Sequence, residues 1–169
     1  MFRMTRYIKS LMNPAPVRPV PKPAGPVVIW NLIRRCNLTC KHCYSISADV
    51  DFKGELSTDE VYTVMDDLKA FGVPVLILSG GEPLMRPDIF NISHRAKAMG
   101  FYVGLSTNGT LITEENIRQI AEAGYDYVGI SIDGLEQTHD EFRQKKGAFA
   151  ASMKAVELCK QAGIKVGLR

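Results

Sequence analysis

Apolar residues in this chain fall into short solid runs and into helical stripes, one after the other. Val27-Val28-Ile29-Trp30-Asn31-Leu32-Ile33 reads as a first strand. Next, Ser57-Thr58-Asp59-Glu60 forms a capping box, in which Ser57 accepts from the Glu60 amide while Glu60 reaches back. The helix it opens carries Val61, Val64, Leu68 and Phe71 at helical spacing and stops at Gly72. Residues 73–78 are apolar throughout, as in a strand buried on both faces.

The unit then repeats. Pro87 is expected to start a helix with Ile89, Ile92, Ala96 and Met99 inward, followed by Gly100 and a strand over residues 102–106. Thr113 is expected to cap a helix carrying Ile117, Ile120 and Ala121, closed by Gly124, before a strand over residues 127–132. A helix over residues 148–162 ends at Gly163, and a last strand begins at Lys165. Strands alternating with helices imply an α/β fold with parallel pairing and right-handed crossovers. Four complete strands and the start of a fifth cannot close a barrel. Residues 27–169 are therefore expected to be the N-terminal part of a partial parallel (β/α) barrel, truncated within the barrel. Residues 1–26, with Pro14, Pro16, Pro19, Pro21, Pro23 and Pro26, are expected to form a basic, extended arm.

Composition adds little until charge is mapped along the chain. The 169 residues carry a net charge of +3, yet no Asp or Glu precedes Asp49, while eight Lys and Arg do. Such an arm is either a solvated basic segment or an attractor for a carboxylate-rich substrate. Sparse aromatic interleaving argues against nucleic acid as a partner. No apolar run approaches the roughly 20 residues that span a bilayer, so no membrane is expected. The charged N-terminus has no apolar segment behind it, and the clustered cysteines suit a reducing compartment, which points to the cytoplasm.

The chemistry concentrates where the strands end. After the first strand come Cys36, Cys40 and Cys43, spaced C-x3-C-x2-C, with no fourth ligand nearby. A closed zinc tetrahedron wants four protein ligands. Three thiolates on one loop suit a four-iron four-sulfur cluster that leaves one iron open. His42 is read as packing rather than ligation, and Cys159, on a helix with Met153 and Val156, as a buried thiol. After the second strand comes Ser79-Gly80-Gly81-Glu82-Pro83, where Gly80 and Gly81 let a ligand approach the backbone and Glu82 suits an ammonium group. The third and fourth strands end in Ser106-Thr107-Asn108-Gly109 and Ser131-Ile132-Asp133-Gly134. A period of two puts Ser106 with Asn108 and Ser131 with Asp133, and turns Thr107 away. Each of these four is equally at home in a turn. Arg143 either clamps a ligand carboxylate or sits on the surface.

The joint signature of C-x3-C-x2-C after one strand and Gly-Gly-Glu-Pro after the next resembles the radical S-adenosylmethionine (radical SAM) superfamily. The resemblance implies a partial barrel, a 4Fe-4S cluster on Cys36, Cys40 and Cys43, and S-adenosylmethionine as the second cofactor. It implies that Gly80, Gly81 and Glu82 face the methionyl ammonium. Ser106, Asn108, Ser131, Asp133 and Arg143 become candidates for the ribose and carboxylate contacts. The segments around Gly25–Leu32, Cys43–Asp49 and Leu76–Arg86 further resemble the heme d1 biosynthesis branch of that superfamily. That branch implies removal of propionate side chains from a siroheme-derived tetrapyrrole, didecarboxysiroheme, with a low-potential flavodoxin- or ferredoxin-type electron donor. It also implies a longer chain carrying an auxiliary cluster. Related enzymes that decarboxylate or deacetylate heme precursors, or modify peptides, stay open as alternatives. A non-catalytic electron-transfer module fits less well, since it has no use for the polar strand ends.

Overall fold

Alternating strand and helix signals produce five parallel strands in the order β1-β2-β3-β4-β5, each hydrogen-bonded to the next. They are β1 (Val27–Asn31), β2 (Val75–Ser79), β3 (Tyr102–Thr107), β4 (Tyr127–Ile130) and β5 (Val166–Leu168). This computed structural model describes residues 25–45 and 48–169, together with Met12. The basic, proline-rich arm therefore lies outside the described residues apart from Met12, Gly25 and Pro26.

One face of the sheet packs on the helices. Leu76, Leu78, Val103, Leu105, Val128 and Ile130 are buried there, against α1 (Thr58–Ala70), α2 (Ile89–Ala98), α3 (Ile117–Glu122) and α5 (Ala148–Gln161). An additional helix, α4 (Glu136–Arg143), lies between β4 and α5. The other face belongs to the barrel interior. Register aligns Ile29 with Ile77 and Asn31 with Ser79, then Gly104 with both Ile77 and Tyr127. Gly104 and Gly167 make room on this face: a Cβ at either would come within 2.6 Å of Ile77 and 2.3 Å of Tyr127 respectively.

The Ser57–Glu60 capping box is present in both directions, with the Ser57 amide donating to Glu60 Oε2 at 2.8 Å. Helix α1 buries Val61 and Met65, whereas Val64 and Leu68 are half-buried and Phe71 is 74% exposed. Phe71 is the C-cap, where the chain leaves the helix, so the helical spacing no longer sets its direction. The helix expected from Pro87 begins instead at Ile89, after a short 3₁₀ turn over Pro83–Met85. Asp88 at its start is engaged by Arg86 at 2.7 and 3.0 Å. Strand β1 ends at Asn31 and β4 at Ile130, each two residues earlier than expected. Helix α3 is short, because turns over residues 114–116 precede it; regular helix starts at Ile117, with Asn116 rather than the expected Thr113 at its N-cap.

Candidate functional site

Parallel pairing brings every strand end to one side of the sheet, where α/β folds bind their ligands. There a cavity of about 460 Å³ opens. Cys36, Cys40 and Cys43 border it on one side, and Gly80 and Gly81 on another. Ser106, Asn108, Ser131, Asp133 and Arg143 complete the wall, so every expected site residue except Glu82 lines this space. His42, Tyr44, Thr107 and Arg169 join them.

The cysteine loop and the glycine motif are bound to each other through the main chain. Leu32 N donates to Ser79 O at 3.0 Å, Gly81 N to Ile33 O at 2.7 Å, and Glu82 N to Arg35 O at 2.9 Å. The β1–β2 pairing thus continues past both strands into the two motifs. A Cβ on Gly81 would stand 2.4 Å from the carbonyl oxygens of both Arg34 and Arg35, and one on Gly80 2.4 Å from Ile33 O. The absent side chains therefore make room for the chain's own cysteine loop rather than for a ligand. This corrects the reason expected for those glycines, while their other side borders the cavity.

Glu82 stands just behind the cavity wall. Its side chain is wholly buried beside the cavity, not in it. Thr107 Oγ1 donates to Oε1 at 2.8 Å, Leu84 N to Oε1 at 3.1 Å, and Asn108 N to Oε2 at 2.8 Å. Burial pushes this carboxyl up to about 7, against the pull of those hydrogen bonds and of Arg143. Thr107, expected to turn away from the site, borders the cavity as well and holds Glu82. Ser106 and Ser131 lie on the barrel side, with Ser106 Oγ 2.6 Å from Arg169 Nη1.

Asn108 and the cysteine loop share an amide network. Asn108 Nδ2 donates to Asn37 Oδ1 at 2.9 Å and lies 4.0 Å from the Cys36 sulfur. Asn37 Nδ2 in turn donates to Thr110 Oγ1 at 2.9 Å. Burial pushes the Cys36 thiol up to about 11, so a metal must displace its proton to bind. On the opposite side Asp133 takes both Nε and Nη2 of Arg143, at 2.6 and 3.0 Å. His42 Nε2 approaches the same carboxylate at 3.3 Å. The Asp133 amide donates to His139 Nδ1 at 3.2 Å, which leaves the proton of neutral His139 on Nε2. Burial, and then Arg143, lower the pKa of that imidazole, and its Nε2 is buried without a hydrogen-bond partner among the described residues.

Sequence reading missed Asn37, His139 and the whole of α4. Asn37 was legible only as a residue inside the cysteine motif, and α4 only as the polar run around Arg143. Cys159 is wholly buried in the helix-side core, as expected of a thiol that serves no ligand.

A three-thiol donor set can be tested against this geometry. Thiolates around one zinc would sit about 3.8 Å apart, given bonds of about 2.3 Å in a tetrahedron. Thiolates on separate irons of a cubane bind at its corners and stand further from one another. Three cysteines bordering one cavity suit a cluster that binds through three of its corners.

Comparison with known proteins agrees with this chemistry. The chain is 52% identical over 169 residues, all of it, to the pre-heme d1 synthase of Dinoroseobacter shibae, and spans 42% of that relative's length. It is 49% identical over 148 residues, 88% of the chain, to the Fe-coproporphyrin III synthase of Methanosarcina barkeri, spanning 37% of it. Its fold matches that of Streptococcus suis SuiB bound to S-adenosylmethionine with a TM-score of 0.67 at 18% identity, over 83% of this chain and 31% of that one. The model of the radical SAM superfamily matches residues 30–169. The chain belongs to the radical SAM superfamily, enzymes whose cofactors are a 4Fe-4S cluster and S-adenosylmethionine.

Proposed function

We propose that this chain is the core of a radical SAM enzyme of heme d1 biosynthesis, which removes propionate side chains from didecarboxysiroheme. The observation that carries the reading is the 52% identity to a pre-heme d1 synthase over every residue of the chain. Supporting it, the cysteine loop and the strand-end signatures wall one cavity.

In this reading Cys36, Cys40 and Cys43 hold the cluster. When bound, the cluster would supply the electron for reductive cleavage of S-adenosylmethionine, the chemistry that initiates hydrogen abstraction from the substrate. The chain's own residues prepare that event. Main-chain bonds from Gly81 and Glu82 to the residues before Cys36 hold the two motifs at a set distance. The Gly80–Gly81 backbone, which borders the cavity, would face the methionyl end of the cofactor, with the Glu82 carboxyl behind it. Ser106 and Ser131 offer hydroxyls to the ribose from adjacent strands, and Asn108 an amide. A low-potential flavodoxin- or ferredoxin-type protein supplies electrons.

The test is anaerobic turnover of the intact enzyme under reducing conditions, with didecarboxysiroheme, an iron-coproporphyrin precursor and a peptide offered separately. Loss of propionates from didecarboxysiroheme with stoichiometric 5′-deoxyadenosine supports the reading. Turnover of either alternative instead, with didecarboxysiroheme ignored, excludes it and leaves the superfamily assignment standing.

A further inference from the structure

Arg143 is already committed inside the protein. Its Nε and Nη2 form a two-pronged pair with Asp133 at 2.6 and 3.0 Å, and its Nη1 is directed at the Cys40 sulfur, 3.6 Å away. Both members of the pair are largely buried, with 12% and 19% of their side chains exposed. The guanidinium plane is rigid, so once two donors are engaged by Asp133 the direction of the third is set. Around this pair the C-terminal end of α4 grips the cysteine loop in other ways. Lys41 N donates to Phe142 O at 2.8 Å, Lys41 Nζ reaches Glu141 at 2.7 Å, and Thr39 Oγ1 donates to Gln144 Oε1 at 3.4 Å. Gln144 ends the helix in the left-handed conformation, at φ 53°, beside that contact.

We propose that Arg143, aimed by Asp133, is a positioning residue for the cluster: it hydrogen-bonds the Cys40 thiolate, fixes the cysteine loop on α4 and raises the cluster's reduction potential. This rests on the cluster reading given above. The physical basis is simple. A reduced cluster carries one more negative charge than an oxidised one, so an N–H donor bearing positive charge stabilises the reduced form more. In a partly buried site the effect is not screened away as it would be in water.

The experiment uses the reconstituted enzyme and its Arg143→Gln, Arg143→Lys and Asp133→Asn variants. Iron and sulfide per chain are measured first, then the midpoint potential by titration followed with electron paramagnetic resonance, without and with S-adenosylmethionine. We expect Arg143→Gln to load a cluster and to lower its potential without S-adenosylmethionine, by about tenfold in the reduction equilibrium, or about 59 mV for one electron. Asp133→Asn removes a carboxylate charge and leaves the guanidinium charge unopposed, so it does not lower the potential; the lost aim is read as less iron and sulfide held per chain. Arg143→Lys retains charge but not the two-pronged pair and falls between wild type and Gln. Potentials equal to wild type in Arg143→Gln and Arg143→Lys, with weakened S-adenosylmethionine binding in Arg143→Gln, overturn the proposal and make Arg143 a ligand contact. If Arg143→Gln does not fold, Arg143→Lys carries the potential comparison. Wild-type protein that binds no iron or sulfide overturns the cluster reading itself, a failure distinct from unshifted potentials.

Discussion

Glu82 shows how far a single residue's role depends on what surrounds it. Its carboxyl, pushed up to about 7 by burial, binds a proton in the folded protein that an unfolded chain releases near 4.5. Folding then takes up protons between those values, so stability is greatest below about 4.5 and declines as pH rises to about 7. Urea unfolding of the metal-free protein between pH 5 and 8 is expected to show that decline, on the order of 3 kcal/mol in full, and Glu82→Gln to flatten it. A wild-type profile without slope in that window contradicts the assignment. The cysteines separate in the same way by environment. Cys36, Cys40 and Cys43 border the cavity, whereas Cys159 is wholly buried in the helix-side core. Anaerobic reconstitution of Cys40→Ala should leave iron far below the wild-type level, since two thiolates cannot hold a cubane. Cys159→Ala should load as wild type does, and equal losses in the two variants mean that the ligand set is wrong.

At the scale of elements, the site is made where strands end and loops are strapped together. Arg86 illustrates the strapping. It is 6% exposed, and its guanidinium donates to Leu32 O at 2.9 Å and Leu56 O at 3.0 Å while pairing with Asp88. It thereby joins the end of β1, the approach to α1 and the start of α2. Asp88 in turn accepts from Thr58 at 2.6 Å, on the first residue of α1. Removing one partner of a buried pair strands the other, so Arg86→Ala is expected to cost about 3–5 kcal/mol. Chemical denaturation read by circular dichroism checks this, and a loss under about 1 kcal/mol would mean that the pair behaves as an exposed one. Helix α4 plays the matching part on the other side of the cysteine loop, through Phe142 O and Arg143.

For the whole molecule, the sheet is open, with β1 at one edge and β5 at the other. Ile29, on the barrel side of β1, is 55% exposed, and Leu168 of β5 is 59% exposed. No helix among the described residues is long and apolar enough to cross a membrane. The chain spans less than half the length of the two relatives compared with it. If a tetrapyrrole with several carboxylates is the substrate of the intact enzyme, its binding weakens with salt, over a Debye length of about 10 Å at 0.1 M. Replacing Arg3, Arg6 and Lys9 together is expected to flatten that dependence without changing cleavage of S-adenosylmethionine in the absence of substrate. Isothermal titration across a salt series measures the first, and 5′-deoxyadenosine formation the second. An unchanged salt slope removes the arm from substrate capture.

Local sequence determined what local physics controls. The order of strands and helices follows from runs and stripes of apolar residues, because burial on two faces or on one leaves those patterns. The capping box at Ser57 and the stop at Gly72 are legible because a helix end depends on a few adjacent residues. The cysteine spacing and Gly80-Gly81-Glu82 were legible as chemistry for the same reason. What tertiary structure alone decided is which partner each polar group takes. That Gly81 clears the carbonyls of Arg34 and Arg35, that Glu82 turns inward to Thr107, and that Arg143 meets both Asp133 and Cys40 are all contacts across the fold. Helix α4 has only His139 buried among its eight residues, so no apolar stripe announces it. Such contacts join residues from 10 positions apart, for Arg143–Asp133, to 103 apart, for Arg143–Cys40, and no periodicity along the chain records them.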